Sequence, residues 1–188
     1  MRIRKKPWAE EELAQNDHVM KNAEALKGKW REYFGNDNPI YVEIGCGKGG
    51  FIRKNAEAYP HINFVGIERN LSVVAVAARR TTEELPNLAL VGDDAKKLSD
   101  FFEVGEFQRL YLNFSDPWPK ARHFKRRLTY RERLLNYKKV IAADGYIEFK
   151  TDNDGLYEFS LEEIKEAGLD IVSATRDLPV SYTHLTLP

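Results

Sequence analysis

From Ile40 onward the apolar residues fall into short blocks, separated by longer stretches in which they recur every three or four positions. The blocks at 40–44 (IYVEI), 63–67 (NFVGI), 88–92, 109–114 (RLYLNF), 146–150 (YIEFK) and 170–174 predict six strands. The stretches at 49–59, 71–84, 95–103, 129–142 and 154–167 predict helices, with Pro60, Pro86 and Gly168 as stops. Upstream, Trp8, Leu13, Met20, Ala23, Leu26, Trp30, Tyr33 and Phe34 recur at mostly helical spacing, with Asn16-Asp17 as a candidate break. The turn cluster Gly35-Asn36-Asp37-Asn38-Pro39 closes that segment. Strand–helix alternation of this kind predicts an α/β fold, a doubly wound and mostly parallel sheet covered on both faces. It occupies residues 40–179 and follows a basic, helical N-terminal extension over 1–39. Ligands of such sheets bind at the carboxyl ends of the strands, which directs attention to the positions just after 44, 67, 92, 114 and 150.

Length and composition narrow the classes. The chain has 188 residues, 43% apolar and 31% charged, so it can bury a core and is not compositionally disordered. Cys46 is the single cysteine, which excludes an internal disulfide framework and a paired-cysteine metal site. No apolar run reaches membrane-spanning length, and the basic start lacks the apolar stretch of a secretory signal. The expectation is a cytoplasmic protein with no membrane and no metal partner, monomer or homodimer. The formal net charge of zero conceals a polarity: residues 1–6 and 120–139 together carry +12, and the remainder carries −12. Residues 180–188 (VSYTHLTLP) carry no Asp, Glu, Lys or Arg and resemble a translated sequencing adapter, so they are expected to be a non-native tail.

The first strand end reads Glu43-Ile44-Gly45-Cys46-Gly47-Lys48-Gly49-Gly50. Glycines here let the backbone turn tightly and approach a ligand closely. The string satisfies both a dinucleotide pattern through Gly45, Gly47 and Gly50 and the E-x-G-x-G form. Glu43 separates the two, because a carboxylate repels a pyrophosphate and favours a cationic, phosphate-free cofactor such as S-adenosylmethionine. Glu68, closing the second strand, can accept from ribose hydroxyls. Of Asp93-Asp94 after the third strand, Asp94 is the better candidate for an adenine amino group, with helix capping as the alternative. Cys46 has no activating partner nearby in sequence and reads as a small loop residue.

The fourth strand end reads Asn113-Phe114-Ser115-Asp116-Pro117-Trp118-Pro119-Lys120. Two prolines stiffen the turn and remove backbone donors. An acid beside an aromatic suits a planar base: the ring of Trp118 stacks and Asp116 accepts N–H groups. Lys120-Ala121-Arg122-His123-Phe124-Lys125-Arg126-Arg127 follows without an acid, which favours phosphate contacts. His123 reads as a polar contact within this strip. Asp152, in Lys150-Thr151-Asp152-Asn153 after the fifth strand, either binds substrate or caps the next helix.

Taken together, Glu43-x-Gly45-x-Gly47-x-Gly49, the run from Asp116 to Leu128, and Lys150-Thr151-Asp152-Asn153 resemble the bacterial tRNA (guanine-N7)-methyltransferase family over about Arg2 to Pro179. The resemblance implies a class I methyltransferase fold (Rossmann-like), S-adenosylmethionine as donor, and N7 of a guanine in the tRNA variable loop as acceptor. It implies cofactor binding by Glu43, Gly45, Gly47, Glu68, Asp94 and Asp116. It further implies catalysis by Asp116 and substrate binding by Lys120 and Asp152, to which Trp118, Arg122 and His123 are added as substrate contacts. The family's Thr-x-Tyr-Glu string has no equivalent in Ser181-Tyr182-Thr183-His184, which predicts a domain without its last antiparallel strand. A nicotinamide-dependent oxidoreductase and a non-catalytic RNA-binding module are the alternatives.

Overall fold

The computed structural model describes residues 6–81, 85–95, 98–176 and the backbone of 186–187. In chain order the elements are α1 (Ala9–Gln15), β1 (Val19–Met20), α2 (Trp30–Phe34), β2 (Ile40–Ile44), α3 (Gly50–Ala58), β3 (Asn63–Ile67), α4 (Leu71–Arg80) and β4 (Leu88–Val91). Then follow α5 (Leu98–Phe101), β5 (Phe107–Asn113), α6 (Arg131–Lys138), β6 (Ile141–Lys150), α7 (Asp154–Glu166) and β7 (Thr186–Leu187). The sheet order is β1-β4-β3-β2-β5-β6-β7, parallel throughout except between β6 and β7. Helices cover both faces, so the central strands are apolar on both sides: Val42, Val65, Ala89 and Leu110 are fully enclosed. Small residues on α4 allow close packing. Gly49 sits at φ +72°, and a Cβ there would meet the Cβ of Ala77 at 3.1 Å.

Three expectations need correction. The single helix read over 8–34 is broken into α1, β1, a 3-10 turn at Ala23–Leu26 and α2. The Asn16 side chain accepts from the His18 backbone N–H at 3.1 Å, turning the chain out of α1. The His18 carbonyl then accepts from Leu90, and β1 pairs with the edge of β4. Trp30 anchors the rest: it is fully buried, donates Nε1–H to the Phe101 carbonyl at 2.8 Å, and stacks on Phe102. The apolar spacing was therefore helical in period but served several short elements. Residues 170–174 form no strand either; Ile171 and Val172 are exposed, with only an isolated bridge at Ser173. Finally, the antiparallel position beside β6 is filled by Thr186–Leu187, from the segment read as foreign. An open strand edge offers backbone donors and acceptors to any extended segment, whatever its side chains.

α6 and α7 are joined by a carboxylate that also caps a helix. Glu163 on α7 is buried and accepts from the Arg131 backbone N–H at 2.7 Å, from its Nε at 2.9 Å and from its Nη2 at 2.9 Å. It thereby satisfies an orphan donor in the first turn of α6, where Tyr130 supplies no side-chain cap. Burial alone would push the Glu163 carboxyl up, but the Arg131 hydrogen bonds outweigh this and hold it below the ordinary carboxylate range. The contribution is present above the unfolded carboxyl's pKa and is lost as pH falls. Glu163→Gln is expected to cost about 2 kcal/mol of unfolding free energy at pH 7. Urea unfolding at pH 7 and at low pH checks this; the deficit should shrink in acid, and an equal deficit at both would contradict the assignment.

Candidate active site

The sheet order reverses between β2 and β5, and the loops leaving β2, β3, β4 and β5 meet above that crevice. The loop after β2 turns through left-handed glycines, with φ +74° at Gly45, +56° at Gly47 and +72° at Gly49. The backbone N–H groups of Gly45 and Cys46 both donate to the Ile67 carbonyl, at 2.7 and 3.2 Å, tying the loop to β3. A Cβ on Gly45 would meet nothing within 4 Å, so the loop opens onto free space there. Cys46 is buried beneath it, and burial, reinforced by Glu43 and Glu68, pushes its thiol well up. A thiol held protonated is no nucleophile, in line with the reading of Cys46 as a loop residue.

The crevice is a cavity of about 520 Å³. Of the residues expected at the site, Gly45, Glu68, Asp94, Asp116 and Trp118 line it. Glu68 also accepts from the Asn70 backbone N–H at 2.8 Å, and Asn70 caps α4. Arg69, Arg126 and Arg133 line the cavity too; the last two belong to the basic stretch 120–139, whereas Arg69 gives no signal in the sequence and is brought there by the fold. Gly47, Lys120, Arg122, His123 and Asp152 are not on the wall. Asp152 is exposed, and the capping of α7 falls to Asn153, whose side chain accepts from Leu156 at 2.8 Å.

Glu43 is not on the wall either. It is buried under the glycine loop, where its Oε1 accepts from Asn113 Nδ2 at 2.9 Å and binds the end of β2 to the end of β5. Its Oε2 is buried without a hydrogen-bond partner. Burial pushes its carboxyl up to about 7, against the opposing pull of Asn113, Lys150 and the Ile52 backbone. Lys150, buried one strand further on, is shifted down by burial, while Glu148 and Glu43 pull the other way.

The loop after β5 carries backbone strain at both ends, with Phe114 at φ 48° and Trp118 at φ 43°. Phe114 N–H donates to the Lys150 carbonyl at 2.8 Å, fixing the loop to β6. The basic run that follows is not uniform surface. Residues Ala121–Arg126 form a 3-10 helix. Arg126 lies over the Trp118 ring at 4.9 Å, and His123 meets that ring edge-on at 5.7 Å. Arg127 turns inward: its Nε donates to the Pro117 carbonyl at 2.9 Å and its Nη2 to the Trp118 carbonyl at 3.3 Å, with the guanidinium 4.2 Å from the Phe159 ring. The expectation that the whole strip reaches phosphates therefore fails for Arg127, which a charge count cannot distinguish from its neighbours. Lys120, Arg122, Lys125 and Arg126 are exposed. The basic residues 1–5 and Ser181-Tyr182-Thr183-His184 lie outside the described residues. Among the described residues no cluster of three metal-ligating side chains occurs, and no helix is long and apolar enough to cross a membrane.

A doubly wound sheet with a glycine loop and a crevice at its switch point is the architecture of class I methyltransferases, and the chain's relatives separate it from the dinucleotide-binding domains that share it. Residues 37–185 match the family described as putative methyltransferase. The chain is 52% identical over 180 residues to a tRNA (guanine-N(7)-)-methyltransferase of Geobacillus sp. (strain WCH70), covering 95% of this chain and 82% of that protein. It is 48% identical to the enzyme of the same name from Geobacillus thermodenitrificans, covering 95% and 83%. The fold superposes on the aminoglycoside resistance methyltransferase NpmB1 with a TM-score of 0.63 at 17% identity, covering 86% of this chain and 93% of that one, a likeness of fold alone. The chain belongs to the tRNA (guanine-N7)-methyltransferase family.

The buried Glu43 gives the fold a pH dependence opposite in sign to that of Glu163. A carboxyl raised from 4.5 to about 7 on folding favours the fold below pH 4.5, and that advantage is lost as pH rises through 7. Glu43→Gln removes the titration. Its stability relative to the parent chain should therefore rise between pH 5 and pH 8, by at most about 3 kcal/mol. Denaturant unfolding at the two pH values measures this; a pH-independent difference would show that Glu43 is ionised throughout.

Proposed function

We propose that this chain transfers a methyl group from S-adenosylmethionine to N7 of a guanine in tRNA, within the variable loop. The observation that carries the reading is Asp116, on the wall of the cavity and directly before an exposed basic 3-10 turn. The cavity fits the cofactor chemically. Its wall carries Glu68, Asp93, Asp94 and Asp116 together with Arg69, Arg126 and Arg133, and the carboxylates can accept from the cofactor's hydroxyl and amino donors. The family membership speaks against the oxidoreductase alternative. Gly45 and Gly47 leave room for the backbone to approach, while Glu68 and Asp94 accept from ribose and adenine. Glu43 acts from beneath by holding β2 to β5.

When bound, the cofactor supplies an electrophilic methyl on a sulfonium. Guanine N7 has an in-plane lone pair and no proton to lose, so this chain needs no general base. Its task is alignment, which can supply much of a rate enhancement. As methyl transfers, positive charge builds on the guanine ring. Asp116, accepting from the base edge, offsets that charge without reorganising. Lys120, Arg122, Lys125 and Arg126 meet tRNA phosphates beside the cavity, with Asp152 as a further polar contact.

Two experiments test this. Incubation with unmodified tRNA and S-adenosylmethionine, followed by nucleoside analysis, should give 7-methylguanosine; Asp116→Asn should lower the rate about 100-fold or more with tRNA affinity nearly unchanged. A different methylated nucleoside, or full activity in the variant, would refute the reading. Separately, Arg122→Ala and Lys125→Ala should each reduce the slope of log affinity against log salt by about 1. Arg127→Ala should leave that slope intact while lowering the methylation rate.

A further inference from the structure

Among the described residues, only two non-glycine residues have positive φ: Phe114 and Trp118. Bulky side chains rarely adopt this conformation, and such strain persists where the surroundings impose it, typically at functional sites. Both residues line the cavity, and they bracket Asp116. Their rings differ in one respect. Trp118 already carries Arg126 against its ring and His123 at its edge. Phe114 is 64% exposed, and among the described residues no aromatic ring or cation packs on it. Its backbone is nevertheless fixed, through the N–H bond to the Lys150 carbonyl. A strained, anchored backbone thus holds a bare aromatic face in the cavity, two residues from the acid.

We infer that Phe114 is the platform on which the substrate purine stacks, and that Trp118 is a positioning residue that orders Arg126 and His123. The inference rests on the proposed action on guanine. A base lying on Phe114 presents its edge towards Asp116, the next acid along the loop, and leaves the Glu68 and Asp94 side of the cavity to the cofactor. Stacking tolerates any π-face, so Phe114 supplies affinity for a base and Asp116 its identity.

The test compares tRNA carrying the target guanine with tRNA abasic at that position. Binding is measured in saturating S-adenosylhomocysteine for the parent chain and for Phe114→Gly, Phe114→Leu and Phe114→Tyr. Glycine relieves the left-handed strain, so that variant keeps its fold while losing the ring. The parent chain should prefer the guanine tRNA about 10-fold or more, as base–aromatic stacking requires. The Gly and Leu variants should lose this preference, the Tyr variant should keep it, and S-adenosylhomocysteine affinity should stay within about twofold in all. Preference retained in the Gly and Leu variants would overturn the platform and leave the guanine reading standing. No preference in the parent chain would overturn both. Loss of S-adenosylhomocysteine affinity with preference intact would overturn the inference by assigning the ring to the cofactor.

Discussion

The loop that carries Asp116 is held from behind by one guanidinium. Pro117 and Pro119 contribute no backbone N–H, so the loop has few donors with which to satisfy its own carbonyls. Arg127 supplies the missing donors to the carbonyls of Pro117 and Trp118, and its planar fork suits two acceptors at once. Its other contact, the Phe159 ring, lies on α7, the same helix that carries Glu163. Glu163 grips Arg131 at the start of α6. The loop, the basic 3-10 turn and two helices therefore form one connected frame in which charge is used inwardly for shape.

That frame sharpens the meaning of the charge distribution. A neutral total made of a basic strip and an acidic remainder could describe two repelling surfaces. Instead Glu68, Asp93, Asp94 and Asp116 share the crevice wall with Arg69, Arg126 and Arg133, while Lys120, Arg122 and Lys125 are exposed in the strip that follows Asp116. A cavity that offers carboxylate acceptors beside an exposed cationic strip suits a small ligand and a large polyanion held at adjacent positions, which is the demand methyl transfer to a nucleic acid makes.

Much of this was legible in the sequence, for physical reasons that also explain the failures. The strands 40–44 and 63–67 were read to the residue, because a strand buried on both faces leaves an uninterrupted apolar block. The strand-end rule then located Gly45, Glu68, Asp94 and Asp116 on one cavity. The N-terminal segment misled because α1, β1 and α2 bury Ala9, Val19 and Trp30 against different partners, and periodicity cannot tell one long face from several short ones. Glu43 was placed in the wall because motif spacing gives proximity along the chain but not the direction a side chain takes from a strand. Arg127 was counted with its neighbours because a list of charges carries no information about which carbonyls lack donors. Phe114 carried no signal at all, since positive φ is a property of the folded loop.

The contact between Gly49 and Ala77 has a consequence for how this protein can vary. The glycine loop leans directly on a core helix, and a methyl group on the loop side would fit only if Ala77 gave way by a few tenths of an ångström. A larger residue at position 77 would press on the loop from behind, although Ala77 is buried and does not line the cavity. Positions 49 and 77 are therefore coupled, with Gly49 further constrained by its left-handed φ of +72°. A survey of variants sorted by distance from the ligand would file Ala77 under packing, whereas its effect would surface as altered recognition at the crevice.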